Sequence, residues 1–193
     1  MCFQDEVDQS VKFLKNGKNI LYPTDTVWGI GCDAFDINAV KKIYRIKNRS
    51  FSKPMIILVD KIDRLYELLG KKISIFTQQL ILYNDQINQK PITIIYQVKK
   101  RIFDKFFYKG NTLAIRLTHD PFCKCLIQKL NRPIISTSAN ISGFNTPKSF
   151  SEIAPYILSN IDYAVKLKRK EKAHHKNSQI IQILSNRIKI FRT

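Results

Sequence analysis

The sequence has few cysteines, and none of them has the spacing of a metal or redox site. There are four, with no CxxC pair among them: Cys2, Cys32, Cys123 and Cys125. A zinc site would need distant cysteines to converge on His119, His174 or His175, whereas zinc ligands usually come in closely spaced pairs. We therefore expect reduced thiols, as in a cytosolic protein, and no metal ligands supplied by the chain.

Segments that direct a chain to or across a membrane are also missing. The first ten residues carry acidic side chains where a secretory signal has a basic end and an apolar stretch. Apolar runs such as Met55–Val59 are far shorter than the about 20 residues that span a bilayer. We expect a cytoplasmic protein with no membrane partner.

Acidic residues are scarce relative to basic ones. The chain has 33 Lys and Arg against 15 Asp and Glu, which gives a net charge of +18. A field of that sign attracts polyanions such as nucleotides, RNA or acidic membranes. A genome that favours lysine codons would produce the same excess, so the charge indicates a class of partner and no single one.

The glycine patterns of the common nucleotide-binding folds are absent. With six glycines, the chain contains neither GxxxxGK[ST] nor GxGxxG. This excludes an ordinary P-loop and the usual dinucleotide fingerprint. A nucleotide would have to be held by another kind of loop.

Helical and strand patterns alternate along the chain, without linkers or repeats, which predicts one α/β domain on a mixed sheet over residues 1–193. Helices are predicted at 7–14, ended by Gly17, and at Asp36–Lys47, Arg64–Leu69, Ser74–Tyr83, Phe122–Leu130 and Ser149–Leu158. Strands are predicted at Asn19–Tyr22, Met55–Val59, Ile92–Val98, Thr112–Leu117, Pro133–Ser136, Gln179–Leu184 and Arg187–Phe191. The unbroken apolar run of Met55–Val59 is typical of a strand that is covered on both faces.

Polar residues in two segments follow or precede buried strands. In the segment 22–31 (YPTDTVWGIG), small hydroxyl residues follow a strand and glycines allow close approach of the backbone. Asp25 there could be an orienting hydrogen-bond acceptor, although the segment taken alone is more typical of a simple turn between strands. In the segment 47–54, three cations, Lys47, Arg49 and Lys53, could clamp phosphate or carboxylate. A basic residue in a last helical turn can also serve only to offset the helix dipole.

A third polar segment is harder to explain by structure alone. Residues 133–143 (PIISTSANISG) place four hydroxyls and an amide directly after a short apolar strand. Ligands of open α/β sheets lie beyond the carboxyl ends of strands, and hydroxyls with exposed backbone N–H groups suit phosphate oxygens. This pattern favours an anion-binding loop.

Taken in order and at their intervals, these segments resemble one family. YPTDTVWGIGCDA, the KNR…KP cluster, the strand Leu113–Leu117 with His119, and STSANISG are similar to the YrdC-type threonylcarbamoyl-AMP synthases. The resemblance runs from about Ile20 to Gly143 and thinly on to Arg192. It implies a single YrdC-like α/β domain with a twisted mixed sheet and flanking helices.

The resemblance also implies a reaction and a set of ligands. Family members combine L-threonine, bicarbonate and ATP into threonylcarbamoyl-adenylate and pyrophosphate, for the N6-threonylcarbamoyladenosine modification of tRNA. Mg²⁺ would accompany ATP, and tRNA or the downstream transferase complex would be the partner. The implied catalytic residues are Lys47 and Arg49, and the implied threonine contacts are Thr26 and Arg116. The implied ATP contacts are Arg49, Lys53, Thr112, Ser136, Ser138, Asn140, Ser178 and Arg192.

Departures from the family pattern and rival functions stay open at this point. The Lys/His-rich segment before Ser178 replaces a glycine-containing stretch, which leaves the contacts of Ser178 and Arg192 uncertain. The basic stretch Lys166–Lys172 is either a solvated, mobile loop or a grip for RNA. Rival functions are a non-enzymatic double-stranded RNA-binding module on the same fold, and a paralogue that uses another carbamoyl acceptor.

Overall fold

Strands and helices alternate along the chain as the hydrophobic pattern predicts. The computed structural model describes residues 2–86, 90–98, 111–172, 177–184 and 187–193. The helices are α1 (Phe3–Lys15), α2 (Ile37–Ile46), α3 (Ile62–Leu69), α4 (Ile75–Gln86), α5 (Pro121–Leu130) and α6 (Pro155–Asn160), with a 3₁₀ turn at Phe150–Glu152. The strands are β1 (Ile20–Tyr22), β2 (Gly29–Asp33), β3 (Ile56–Val59), β4 (Ile92–Gln97), β5 (Thr112–Leu117), β6 (Ile134–Ser138), β7 (Tyr163–Ala164), β8 (Gln179–Ile183) and β9 (Ile188–Arg192).

Local sequence signals set several helix ends. Asp36 caps α2 by accepting a hydrogen bond from the backbone N–H of Ala39 at 2.9 Å. Gly17, at φ +69°, turns the chain after α1. The single helix predicted over Ser149–Leu158 is wrong, because the chain forms a 3₁₀ turn and then begins α6 at Pro155. Proline disfavours helical backbone in the residue before it, and so divides the segment.

The nine described strands form one mixed sheet in the order β7-β1-β2-β6-β3-β5-β4-β8-β9. The pairs β1/β7, β3/β5 and β4/β8 are parallel, and the other neighbouring pairs are antiparallel. The terminal pair β8/β9 and the other predicted strands are confirmed, but β2 and β7 were not predicted. The predicted α/β class with a mixed sheet and flanking helices is confirmed.

Apolar side chains cover both faces of the sheet. On one face, α1 and α5 pack over a cluster that includes Leu58 and Ile134, and on the other α2 and α3 pack over Ile57 and Val59. Strand β3 is therefore covered on both sides, as its unbroken apolar run predicted. No helix in the described ranges is both long and apolar enough to cross a membrane.

Candidate functional site

A cavity opens on the α1/α5 face of the sheet, where those helices stop covering it. Strand register places Arg116 and Ile134 on either side of Leu58, and Ser136 beside Ile56 in the next row. Helices α1 and α5 cover Leu58 and Ile134. Beyond them lies a cavity of about 280 Å³, whose walls come from seven strands and three loops. It is lined by Thr24, Thr26, Val27, Gly29, Arg49, Pro54, Met55, Ile56, Ile95, Ala114, Arg116, Ser136, Thr137, Ser138, Asn177, Ser178, Ile180, Phe191 and Arg192.

The side chain of Tyr22 passes over Gly31 and supports Ser136 in the lining of the cavity. The hydroxyl of Tyr22 donates a hydrogen bond to Oγ of Ser136 at 2.7 Å. A Cβ at Gly31 would lie 2.8 Å from the Tyr22 ring and 2.6 Å from the carbonyl oxygen of Ile135. Burial raises the pKa of Tyr22, so its hydroxyl stays protonated and remains a donor. Gly31 thus makes room for the Tyr22 side chain, whose hydrogen bond fixes Ser136. The sequence indicated only that the glycines of the segment 22–31 allow a close approach of the backbone.

Three arginines give the cavity its charge. Arg49, Arg116 and Arg192 line it, and no Asp or Glu is among its described lining residues. Burial, and then the charges of Arg116 and Arg49, lower the pKa of Arg192. The positive charges of the three arginines therefore repel one another within the cavity. Asp25 lies at ion-pair distance from Arg116 but is not among the described lining residues. A cluster of three arginines with this lining suits a polyanionic ligand.

Arg49 and Arg192 are held by backbone carbonyls. Arg49 donates from Nε to the carbonyl of Lys53 at 3.1 Å and from Nη2 to that of Pro54 at 2.9 Å. Arg192 donates from Nε to the carbonyl of Ser178 at 2.8 Å and from Nη2 to its Oγ at 3.0 Å. Neutral acceptors fix both side chains without cancelling their charge, so both cations remain available to a ligand.

Arg116 is held differently, by the segment that follows β1. Its Nη2 lies 3.2 Å from Oδ1 of Asp25, and its Nη1 donates to Oγ1 of Thr26 at 3.3 Å. Arg116 is 4% exposed, and its buried Nε has no hydrogen-bond partner among the described residues. The contact with Asp25 is an ion pair, since neither carboxylate oxygen of Asp25 has a hydrogen-bond partner in the described part of the chain. Thr26 is the hydrogen-bond acceptor for the guanidinium, and an orienting role for Asp25 stays a prediction.

Lys47 holds the loop after β6 by hydrogen bonds to backbone carbonyls. Its side chain is buried, and its ammonium donates to the carbonyls of Ser138 and Asn140, while its own carbonyl accepts from the N–H of Ser142 at 2.8 Å. Burial, with a smaller effect of Arg49, lowers the pKa of Lys47 to about 7. Lys47 does not line the cavity, so its geometry is that of an anchor for the loop.

The structure brings together most of the residues that the resemblance implied. Seven line the cavity: Thr26, Arg49, Arg116, Ser136, Ser138, Ser178 and Arg192. Lys53 is exposed outside it. Thr112 lies four residues before Arg116 on β5, roughly 13 Å away along the strand. Asn140 accepts a hydrogen bond from Ser138 and donates to the carbonyl of Phe144, and it does not line the cavity.

Several lining residues were not singled out from the sequence. Thr24 accepts from the N–H of Thr26 at 3.0 Å and donates to the carbonyl of Val27 at 2.8 Å, which shapes the turn beside Arg116. Its hydroxyl within the segment 22–31 was a signal that could have identified it. Asn177, just before β8, and Phe191, on β9, reach the cavity because β8 pairs with both β4 and β9. The sequence predicted these strands but not which of their residues would line a cavity.

Two residues of the basic stretch Lys166–Lys172 make specific contacts outside the cavity lining. Lys168 forms an ion pair with Asp120 at 3.0 Å. Arg169 donates to the carbonyls of Ala164 and Val165 and lies 4.4 Å from the ring centre of Phe150. These two side chains therefore have specific partners, although that of Lys168 is still 41% exposed, and both the solvated loop and the grip for RNA stay predictions. His174 and His175 lie outside the described residues, within which no cluster of His, Cys, Asp and Glu could hold a metal.

Comparisons with known proteins identify the family of this chain. The family model Sua5_yciO_yrdC, described as telomere recombination, matches residues 12–193. A threonylcarbamoyl-AMP synthase of Pseudoalteromonas translucida is 30% identical over 165 residues, covering 86% of this chain and 87% of that protein. One from Saccharophagus degradans is 34% identical over 151 residues, covering 78% of this chain and 77% of that protein.

A solved structure shares the fold along the whole chain. The crystal structure of P. abyssi Sua5 complexed with L-threonine matches with a TM-score of 0.79 at 26% identity, covering 100% of this chain. The chain spans 54% of that longer protein. The family model matches nearly all of the sequence, and the resemblance carried by the four sequence segments is thereby confirmed. The chain belongs to the Sua5/YciO/YrdC family.

Proposed function

We propose that this protein is a threonylcarbamoyl-AMP synthase, which forms threonylcarbamoyl-adenylate and pyrophosphate from L-threonine, bicarbonate and ATP. The observation that carries the proposal is the cavity itself, which is lined by three arginines and the hydroxyls of β6, with no Asp or Glu among its described lining residues. Relatives that are at least 30% identical over most of the chain bear the same activity in their names.

The proposed reaction needs positioning more than it needs a strong base. The amine of threonine and bicarbonate give a carbamate with loss of water. A carbamate oxygen then attacks the α-phosphorus of ATP, and the bond to pyrophosphate breaks. The nucleophile is already anionic, so the main obstacle is repulsion among the carboxylate, the carbamate and the triphosphate. Prearranged cations offset that repulsion and hold the reactants in line.

Each reactant has a distinct set of partners in the proposal. Arg49 and Arg192 hold the triphosphate together with the hydroxyls of Ser136 and Ser138. Arg116, already held by Asp25 and Thr26, takes the carboxylate of threonine. The P. abyssi relative, whose crystal structure is described as complexed with L-threonine, supports threonine as the amino acid. Lys47 acts on the reaction through the loop that it anchors.

Magnesium belongs to the nucleotide in this proposal. The described lining offers hydroxyl oxygens and no carboxylate, and hard cations such as Mg²⁺ are usually bound by one or two carboxylates together with phosphates and water. The ion would therefore arrive on the phosphates as part of the substrate. Chelation with EDTA should stop product formation and leave the melting temperature unchanged. A fall in melting temperature would indicate a resident metal site instead.

The non-enzymatic RNA-binding alternative is less well supported. General affinity for RNA would need surface charge, whereas Arg116 and Arg192 are placed inside a cavity and fixed by specific acceptors. A paralogue that uses another carbamoyl acceptor would differ at the end of the cavity near Thr26. A cytoplasmic location and transfer of the product to tRNA complete the proposal.

The deciding experiment is reconstitution with purified protein. Incubation with ATP, threonine and bicarbonate should release pyrophosphate and yield an adenylate with the mass of threonylcarbamoyl-AMP. Omission of threonine or of bicarbonate should abolish the release. Equal release from ATP alone would leave an ATPase, and a product with a different amino acid would support the paralogue.

A further inference from the structure

The edge strand β9 contains an irregularity at the mouth of the cavity. Ile190 pairs with Ile181, but Arg192 pairs with Ile180, so Phe191 is an extra residue between two paired positions. Side chains of successive residues in a regular strand point to opposite faces. Here both Phe191 and Arg192 line the cavity. A bulge of this kind redirects side chains and is common beside functional sites.

The core does not need the ring of Phe191. The side chain is 51% exposed and belongs to neither of the two apolar clusters that cover the sheet. It is the one aromatic side chain among the described residues that line the cavity. The ammonium of Lys189 lies 4.9 Å from the ring centre, which leaves one ring face for another partner. An exposed ring at the mouth of a charged cavity is typical of a contact for a ligand.

The cavity changes in character from one side to the other. Near β2 and β6 its lining is hydroxyl-rich, with Thr24, Thr26, Ser136, Thr137 and Ser138. Toward β9 it becomes apolar, through Ile95 on β4, Ile180 on β8 and Phe191 itself. Arg192, fixed by Ser178, lies next to the apolar side. A ligand that is anionic at one end and flat and apolar at the other fits this gradient.

We propose that Phe191 is a stacking platform for the base of the nucleotide. The inference rests on the proposed function, because that function supplies ATP as the ligand. The triphosphate then lies among the arginines and the hydroxyls of β6, and the adenine ring packs on the free face of Phe191. The two hydrogen bonds from Arg192 to Ser178 hold the end of β9, so the ring is positioned before the ligand binds. Since every base has a stacking face, Phe191 contributes affinity for nucleotides and little discrimination between them.

The experiment compares a ligand that has a base with one that lacks it. Dissociation constants for ATP, GTP and inorganic tripolyphosphate are measured with Mg²⁺ for wild type, Phe191→Ala, Phe191→Leu and the neighbouring control Ile190→Ala. Ile190 is 55% exposed, close to the 51% of Phe191, but it does not line the cavity. Loss of stacking should weaken ATP and GTP about tenfold or more in Phe191→Ala, and less in Phe191→Leu. Binding of tripolyphosphate, and all binding by Ile190→Ala, should change less than about twofold on the same reasoning.

A tryptophan at the same position gives a direct signal. The chain has one natural tryptophan, Trp28, which is 4% exposed. In Phe191→Trp the new, exposed indole should lose fluorescence when ATP binds and keep it when tripolyphosphate binds. Equal quenching by both ligands would show that the ring senses phosphate and not the base.

The outcomes separate this inference from the proposed function. Unchanged ATP affinity in Phe191→Ala, or an equal loss for ATP and tripolyphosphate, overturns the stacking role even if wild type makes the adenylate. A wild-type protein that binds no ATP overturns it as well. Base-dependent loss in Phe191→Ala supports the platform, including in a protein that binds ATP and fails to make the adenylate.

Discussion

Nη2 of Arg116 lies 3.2 Å from Oδ1 of Asp25, which joins the middle of the sheet to the segment after β1. Arg116 is 4% exposed, and a buried cation without a partner would be strongly unfavourable. Asp25 lowers that cost before any ligand is present, and the hydrogen bond to Thr26 orients the guanidinium. One of the nitrogens of the guanidinium, the buried Nε, remains without a partner in the described part of the chain. The arginine is thus oriented and still able to donate.

Replacement of Arg116 by lysine should separate charge from geometry. A lysine keeps the positive charge beside Asp25 and loses the planar fork that could hold a carboxylate with two hydrogen bonds. We expect kcat/KM for threonine to fall about a hundredfold, or roughly 2–3 kcal/mol, mainly through KM. Steady-state kinetics and thermal denaturation test this, with near-normal folding expected.

Binding of RNA serves as the control for that variant. Arg116→Lys preserves the net charge, so affinity for double-stranded RNA should scarcely move. Normal threonine kinetics combined with a collapse of RNA binding would remove Arg116 from the substrate site and favour the binding-module function.

The crossing of Tyr22 over Gly31 predicts unequal effects of two alanine substitutions. A Cβ at Gly31 meets the Ile135 carbonyl at 2.6 Å, whereas a Cβ at Gly29 meets nothing closer than 3.2 Å. Gly31→Ala should destabilise the fold by about 1–3 kcal/mol, since backbone cannot move aside easily. Gly29→Ala should be better tolerated in stability, but it adds a methyl group to the lining of the cavity and should raise KM. Urea denaturation and ATP kinetics of both variants check this, and equal stabilities would contradict it.

The lowered pKa of Lys47 predicts a particular pH dependence of stability. Folded Lys47 loses its proton near pH 7, while an unfolded lysine keeps its proton to about pH 10.4. Between these values the unfolded state binds more protons, so the contribution of Lys47 to the unfolding free energy rises with pH. The slope should approach about 1.4 kcal/mol per pH unit within that window.

Lys47→Met provides the reference for this measurement. The variant removes the titrating group, so the difference in unfolding free energy between wild type and variant should grow in favour of wild type from pH 7 to pH 10. A difference that is constant with pH would show that the ammonium stays charged on its two carbonyls. The comparison uses slopes because Lys47→Met also leaves those carbonyls without a donor.

The basic stretch Lys166–Lys172 contains two kinds of cation, with different predicted effects. Replacing the exposed Lys166 and Lys170 by alanine should leave the melting temperature unchanged and reduce the salt dependence of RNA binding, if this surface contacts RNA. Replacing Lys168 removes the ion pair with Asp120, whose side chain is 3% exposed. A loss of about 1 kcal/mol would lower the melting temperature by roughly 2–4 °C. Equal melting temperatures for both variants would contradict the anchoring role of Lys168.

Much of the architecture could be predicted because it depends on local pattern. The apolar period of α1 and α2 and the unbroken run of β3 appear in the structure where the sequence indicated them. Strand β2 was missed because two of its five residues are glycines, Gly29 and Gly31, which are depleted in strands. Here they are required by the side chains that cross the strand, and such a requirement is visible only in three dimensions.

The sequence by itself determined the family, the class of fold and the residue types of the site. Hydroxyl residues that follow a strand, together with a basic loop, indicate an anion-binding site even before the structure is known. The tertiary structure alone decided which side chains share the cavity. It placed Arg116 within ion-pair distance of Asp25. It directed the Lys47 side chain to the carbonyls of the loop after β6 and placed Thr112 outside the cavity lining. It also carried Phe191 and Arg192 to the same mouth through one bulge. The physical reason is that strand register and side-chain burial arise from contacts between residues far apart in the chain, which local periodicity does not encode.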